Sequence, residues 1–273
     1  MKLKRGLIGM ALLIGWMTAN HMAVQAAEPH FGKATDINFK AILPAPPASG
    51  SAEDAAEMET ILRAQATRTE EEVARAKSEI TLSPTAFQSV LGKQFTAKNY
   101  PELFSLLEDA GADSKLAVGK AKEHFGRPRP QDEDSRVQPL KKNDDGPSMK
   151  EAGPAKKDDG AAKKKDDKLS YPSGHSTEAT LWMYILCQIA PDKQEALLTR
   201  SQEIGWDRVI AGAHHPSDVY AGRVLGKALA RALRSDPTFQ ARFAKAKAQY
   251  QTLEKFRSGV DNPAIRIPDA GQY

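Results

Sequence analysis

Apolar residues in this chain recur at the three-to-four-residue spacing of a helix face and almost nowhere alternate at the two-residue period of a strand. Val224, Leu225, Ala228, Leu229, Ala232 and Leu233 make one wide stripe, and Ala179, Trp182, Leu186 and Ile189 make another. Neither stripe can stay in water, so the helices must pack on one another. The pattern predicts an all-α fold, a helical bundle, with no internal repeat.

Start and stop signals divide the bundle. Ser51 with Asp54 predicts a helix running through Ile61 and Leu62 towards Ala74. Ser83-Pro84 predicts another start. Two helices follow, Tyr100 to Ala110 and Asp113 to Phe125; Gly126 ends the second, and Pro128 and Pro130 forbid its continuation. Ser176 to Ala190 is helical. Asp192 with Glu195 caps the next helix, which carries Leu197, Leu198 and Ile204 towards Ala213. Pro216-Ser217 opens another, and Asp236-Pro237 starts a last one with Phe239, Phe243, Tyr250 and Leu253 inward. Leu43-Pro44-Ala45-Pro46-Pro47 is expected to lie extended on the surface.

The first 26 residues read as an export signal: Lys2, Lys4 and Arg5, an apolar run from Gly6 to Ala19, then small residues at Val24 and Ala26. Cleavage after Ala26 would leave residues 27–273 as one soluble, periplasmic domain with no membrane span. Losing those three cations takes the formal net charge from +4 to +1, so the basic balance does not point to nucleic acid. The one cysteine, Cys187, cannot form an internal disulfide and is expected in the core. Residues 131–171 carry ten basic and ten acidic residues in short blocks with few apolar ones, the composition of a flexible, solvated insert. Oligomeric state is left open, with a homo-oligomer one outcome.

Three clusters carry chemistry: Lys122 with Arg129-Pro130, Pro172-Ser173-Gly174-His175, and Arg208 with His214 and Asp218. Lys122, Arg129 and Arg208 are cations suited to the equatorial oxygens of a phosphoryl group. The Ser173-Gly174 turn precedes a helix, where backbone N–H groups and the dipole favour an anion. His214 and Asp218 are four apart at a helix start; a carboxylate on Nδ1–H frees Nε2 to attack. His175 is then the acid and base for the leaving oxygen and for water. The inventory suits phosphoryl transfer through a covalent histidine intermediate, on small-molecule phosphate esters, without a metal or other cofactor.

The order Lys-x6-Arg-Pro, Pro-Ser-Gly-His, Arg-x5-His-x3-Asp resembles the phosphatidic acid phosphatase type 2 superfamily. More narrowly it is similar to the class A bacterial non-specific acid phosphatases, as are the local runs Ala121-Lys122-Glu123-His124-Phe125 and Arg208-Val209-Ile210-Ala211-Gly212. The resemblance implies the helical fold shared by the acid phosphatases and vanadium-dependent haloperoxidases, a phosphohistidine intermediate, no metal requirement, and broad phosphomonoester hydrolysis at acidic pH. By the same resemblance Lys122, Arg129, Ser173, Gly174 and Arg208 bind phosphate, His175 is the acid/base, His214 the nucleophile and Asp218 its orienting partner.

Several points stay open in the sequence. Lys120…Arg127-Pro128 repeats the spacing of Lys122…Arg129-Pro130, and Arg127 would then be a surface or supporting cation. Asp207 stands where the family usually has Ser, and could pair with Arg208 or repel phosphate. His30, His124 and His215 read as structural or exposed, with His124 a lesser candidate for the pocket. His214 and His215, about 100° apart on a helix, are not expected to serve one point. Trp182 and Trp206 read as packing residues. Rival functions are a vanadate-dependent haloperoxidase, a lipid phosphate or pyrophosphate phosphatase, a phosphate-binding protein, and a divalent-metal site on His175, His214 and Asp218.

Overall fold

The computed structural model describes residues 28–141 and 168–257. The expected leader and most of the expected charged insert lie outside those residues. Among the described residues there is no strand, and the one isolated bridge pairs Pro128 with Leu169. The helices longer than two turns are α1 (Ala52–Thr67), α2 (Glu70–Ser78), α3 (Pro101–Phe125), α4 (Gly174–Ile189), α5 (Gln194–Ile210), α6 (Pro216–Leu233) and α7 (Pro237–Arg257). One-turn helices at Phe39–Ile42, Gln88–Leu91 and Pro130–Glu133 join them.

Helix α4 is the axis of the bundle. It packs on α3, α5 and α6, while α7 covers α3 and both α1 and α2 lie on α5. Its sequence explains the position: Leu181, Trp182, Met183, Ile185, Leu186 and Ile189 are all buried, and complete burial of such side chains contributes about 1.5–3 kcal/mol each. The Trp182 indole N–H donates to Leu107 O at 2.6 Å, so its polar atom is satisfied inside the core. Leu103, Leu106, Leu107 and Ala110 of α3 and Leu225, Leu229 and Leu233 of α6 complete the same core.

Helices α4 and α6 meet backbone to backbone. A Cβ at Gly222 would come within 2.6 Å of Ser173 O, and one at Gly226 within 2.5 Å of Thr177 O. Only hydrogen fits at either place. The Ser176 hydroxyl donates to Val219 O at 2.7 Å across this seam, and Ser173 N–H donates to Asp218 O at 2.9 Å. The starts of the two helices are therefore locked together.

The structure corrects several boundaries. Residues 101–125 form one helix rather than two. Gly111 does not break it, because the side chains of Glu178 and Trp182 pack where its Cβ would be, and one glycine costs only about 1 kcal/mol in a helix. The helix from Ala52 stops at Thr67 instead of reaching Ala74. Thr69 opens a new one, its side chain accepting from Glu72 N–H while Glu72 accepts from Thr69 N–H. Asp192 lies in a 3-10 turn and does not cap α5, which starts at Gln194 and ends at Ile210. Leu198 is exposed, as is Trp206, so neither is a packing residue; Trp182 is. Cys187 is half-buried against the core rather than inside it.

Both ends of the expected insert are anchored. Val137 is buried, Leu140 N–H donates to Ala211 O at 2.9 Å, and Ser170 and Tyr171 are buried. Tyr171 O–H donates to Pro44 O at 2.6 Å, which pins the Leu43–Pro47 stretch; Pro44 and Ala45 are exposed, but Leu43 is buried in the core rather than on the surface.

Candidate active site

Each of the three motifs is delivered by the end of a helix. Lys122 is buried in the last turn of α3, which closes at Gly126 with φ of 65°. That left-handed residue turns the chain so that Arg127 and Arg129 run back past the helix end. Ser173 is the N-cap of α4 and accepts from Ser176 N–H at 3.4 Å, putting Gly174 and His175 in the first turn. Arg208 lies in the last turn of α5. Its carbonyl accepts from Ala213 N–H at 3.0 Å and His214 N–H at 3.2 Å, and this tight turn brings His214 to the mouth of α6. Asp218 follows in the first turn of α6, its Oδ2 accepting from His215 N–H at 2.8 Å.

The motifs converge on one cavity of about 480 Å³. Its walls include Lys122, Arg129, Gly174, His175 and His214, together with Val118 and the segment Ile80–Leu82. Lys122 and Arg129 stand at the cavity, which resolves the duplicated spacing in their favour; Lys120 is exposed. Ser173, Arg208 and Asp218 sit behind the wall. Ser173 is wholly buried as the helix cap. Arg208 is 3% exposed, with Nη2 donating to Ala76 O at 2.7 Å and Nε without a partner. Its Nη2 also lies 3.8 Å from Glu79 Oε2, so a buried carboxylate meets part of its charge while Nε stays free to donate. Burial brings its pKa down to about 10, with Asp207 acting against that and Arg200 adding to it.

His214 is held in one orientation. Its Nδ1 faces Asp218 Oδ2 at 3.3 Å, and Arg129 Nη1, which can only donate, approaches Nε2 at 3.4 Å while donating to Ala213 O at 2.9 Å. These partners select the tautomer with hydrogen on Nδ1 and a lone pair on Nε2. Burial pulls the His214 pKa down to about 4; the Asp218 hydrogen bond opposes this, and Arg129 and Lys122 add to it. Asp218 is also buried, which works against its charge, yet hydrogen bonds from His214 and His215 hold its carboxyl far below the usual carboxylate range. His175 is pushed well below 6.5 by burial and then by the charges of Arg208 and His214; its Nε2 lies 2.9 Å from Glu79 O.

A second layer stands behind Asp218. Arg127 is buried, with Nη1 donating to Asp218 Oδ1 at 3.0 Å and to Ser217 Oγ at 2.8 Å. Its Nη2 donates to Asp54 and Glu57, each at 2.9 Å. Burial lowers its pKa while Asp218 and Glu57 raise it, and the carboxylates prevail. Arg127 is thus a supporting cation, buried rather than on the surface. His215 departs further from expectation: its Nδ1 is 3.2 Å from Asp218 Oδ2, the same oxygen that His214 faces, and its Nε2 is 2.8 Å from Glu133 Oε2. His215 lies outside α6 as its N-cap, so the helical angle between neighbours does not apply.

Asp207 acts on Arg208 through its charge, which raises the Arg208 pKa, and makes its hydrogen bonds elsewhere. It is fully buried and takes both arms of Arg75, Nε and Nη2 at 2.8 Å each, facing α2. His124 is exposed and packs on the rings of Phe39 and Phe125, away from the cavity; His30 binds Asp113. Among the described residues, the cluster with metal-ligand spacing is Asp54, Glu133 and His215, and not His175, His214 and Asp218.

Sequence reasoning missed Glu178. It is buried on α4, one turn beyond Gly174, at the cavity wall. A charged residue inside an apolar helix stripe, three after His175, was the available signal. Ile80–Leu82 carried none.

Comparison with known proteins identifies the family. Residues 110–241 match the PAP2 superfamily, a span that holds all three motifs. A non-specific acid phosphatase of Providencia stuartii is 31% identical over 231 residues, covering 80% of this chain and 83% of that protein. One of Salmonella typhimurium is 25% identical over 263 residues, covering 91% and 94%. A lipid A 1-phosphatase of Rhizobium etli is 39% identical over 57 residues, covering 21% and 25%. The chain belongs to the PAP2 superfamily, with the non-specific acid phosphatases, and is a phosphatase.

Proposed function

We propose that this phosphatase hydrolyses soluble phosphate monoesters of broad specificity through a phosphohistidine intermediate. The observation that carries the reading is His214: Nδ1 on Asp218, Nε2 beside Arg129, in a cavity shared with Lys122 and His175. The Nε2 lone pair attacks phosphorus, the P–N bond forms and the P–O ester bond breaks. His175 protonates the departing alkoxide, using the nitrogen not bound to Glu79 O; the bound phosphate's negative charge draws that proton onto it. Asp218 stabilises the imidazolium that His214 becomes. Water then attacks phosphorus as His175 takes its proton, the P–N bond breaks, and inorganic phosphate leaves. Lys122, Arg129 and the N–H groups at Gly174 and His175 offset charge on the equatorial oxygens, and Arg208 adds its charge from behind the cavity wall.

The test is direct. Mixing enzyme with labelled ester and quenching in alkali should trap label on His214, since phosphoramidates survive base. His214→Ala should lose the label and turnover, by at least about a thousandfold. Label on another residue, or turnover retained in His214→Ala, would sink the assignment. Export to the periplasm belongs to the same proposal and is supported by the leader-like first 26 residues; a mature N-terminus at Ala27 in a secreted fraction is the expected result. The short match to a lipid A 1-phosphatase favours a second reading, a lipid phosphate ester. Faster turnover of a detergent-dispersed lipid phosphate than of a soluble ester would select it.

A further inference from the structure

The cavity has a far end that hydrolysis at His214 does not use. Helices α3 and α4 form two of its walls, and the lining residues mark out its length. On α3 they are Lys122, Val118 and Lys115, so Lys115 stands about 10 Å along the axis from the phosphate end. On α4 they are Gly174, His175 and Glu178, with Glu178 about 6 Å beyond Gly174. The rest of the wall is Ile80, Thr81, Leu82 and Val118, mostly apolar. A phosphate bound at Arg129 and Lys122 leaves its alcohol room to extend along the α3 and α4 walls, past Val118, towards Glu178. The length suits an alcohol of sugar size.

Glu178 is an unusual group to find there. Its side chain is only 8% exposed, and its Oε1 occupies the space beside Gly111 that a Cβ there would need. Lys115 Nζ meets its Oε1 at 3.3 Å, but the Lys115 side chain is 66% exposed, so water screens much of that cation. In a cavity built to attract anions, this is the one carboxylate among the lining residues.

We infer that Glu178 sets leaving-group specificity: it accepts neutral, hydroxyl-bearing alcohols and disfavours alcohols that carry a second anion at sugar distance from the phosphorus. A hydroxyl at the far end donates to the carboxylate, whereas a second carboxylate or phosphate meets a like charge that burial keeps poorly screened. The inference rests on the phosphomonoesterase reading and narrows its substrate class. The groups facing Glu178 are Lys115 from α3 and His175 from α4; the lining segment Ile80–Leu82 has no titratable side chain. Burial raises the Glu178 pKa and Lys115 opposes it. The carboxylate therefore gains its charge at a higher pH than a free one, and the discrimination grows as pH rises through that titration.

The experiment compares sorbitol 6-phosphate with 6-phosphogluconate, which are equal in length and differ at the far end in CH2OH against carboxylate. The wild-type ratio of kcat/KM should favour the polyol by roughly tenfold near neutral pH, shrinking in acid. Glu178→Gln keeps the shape and the hydrogen bond but not the charge, and should bring the ratio near one with little pH dependence. Hydrolysis of both esters with the same ratio in wild type and Glu178→Gln would overturn this inference alone. A wild-type ratio near one at all pH values would overturn it without any variant. An enzyme inert on both esters would overturn the monoesterase reading, and this inference with it.

Discussion

One buried carboxylate, Asp218, organises the candidate site. Its Oδ2 faces His214 Nδ1 and His215 Nδ1 and accepts from His215 N–H, while Oδ1 takes Arg127. A carboxylate held on every side cannot swing, so it fixes the ring it touches and, in the proposed mechanism, the direction of attack. The same burial determines when His214 is usable. A free imidazole is half protonated near pH 6.5, but His214 has been brought down to about 4 by burial, with Arg129 and Lys122 adding to the effect. Nε2 thus keeps its lone pair in mildly acidic solution, where a solvent-exposed histidine would be blocked. The acid limb of kcat/KM, which reports the free enzyme, should fall off with a midpoint near pH 4. It belongs to the coupled His214–His175 pair rather than to one ring. A limb near 6.5 would mean that the nucleophile is a solvated histidine. Most of this site was legible from residue type and spacing: Lys122, Arg129, Gly174, His175 and His214 meet at one cavity as the motifs imply. What spacing hid were partners across the chain. Arg127 and His215 could not be tied to Asp218, nor Asp207 to Arg75, because 91, 3 and 132 residues of separation say nothing alike about distance in space.

At the scale of elements, the seam between α4 and α6 places the two histidines. His175 rides in the first turn of α4, and His214 and Asp218 flank the start of α6. Their separation depends on how closely the helices approach. Gly222 and Gly226 permit backbone contact there. A Cβ at Gly226 would stand 2.5 Å from Thr177 O and 3.2 Å from Leu181 N, both backbone atoms that no side-chain rotation can move aside. Gly226→Ala should therefore push the helices apart, lowering stability by about 1–3 kcal/mol and kcat/KM by roughly tenfold or more. Gly119→Ala in α3, where a Cβ meets nothing within 4 Å, is the control and should be neutral or slightly stabilising. Equal melting temperatures for both variants would show that the seam is not tight. The periodic stripes of α4 and α6 foretold that these helices pack; they could not foretell which pairs would touch at glycine. Helix ends were read with similar limits. Ser51, Gly126 and Pro216 act locally and stand where expected. Thr69 interrupts the run from Ala52 through a capping box, and Gly111 is spanned because another helix fills the space beside it.

For the whole molecule, a site that keeps histidines neutral by burying them makes stability depend on pH. His214 has a folded pKa of about 4 against 6.5 unfolded, so between those values the unfolded chain binds more protons. Stability must therefore fall as pH drops from 6.5 to 4, by about 3 kcal/mol for this group, and His175 acts in the same direction. Asp218, depressed as well, keeps its contribution above 3.8 and loses it only below. Glu178 works the other way: its raised pKa lets the folded form bind a proton first, returning some stability as pH falls towards 4.5. Two histidines outweigh one carboxyl, so the melting temperature should decline from pH 7 to pH 4. Inorganic phosphate should reverse the decline, because an anion in the cavity offsets Lys122, Arg129 and Arg208 and stabilises a proton on His175. At a hundredfold excess over its Kd, phosphate adds about 2.7 kcal/mol, and at one fixed phosphate concentration the gain should be larger at pH 5 than at pH 7. Calorimetry over this range, with and without phosphate, checks both signs together. A melting temperature flat in pH would contradict the burial of the histidines. A phosphate shift that is absent, or larger at pH 7, would contradict the pairing of the anion with His175.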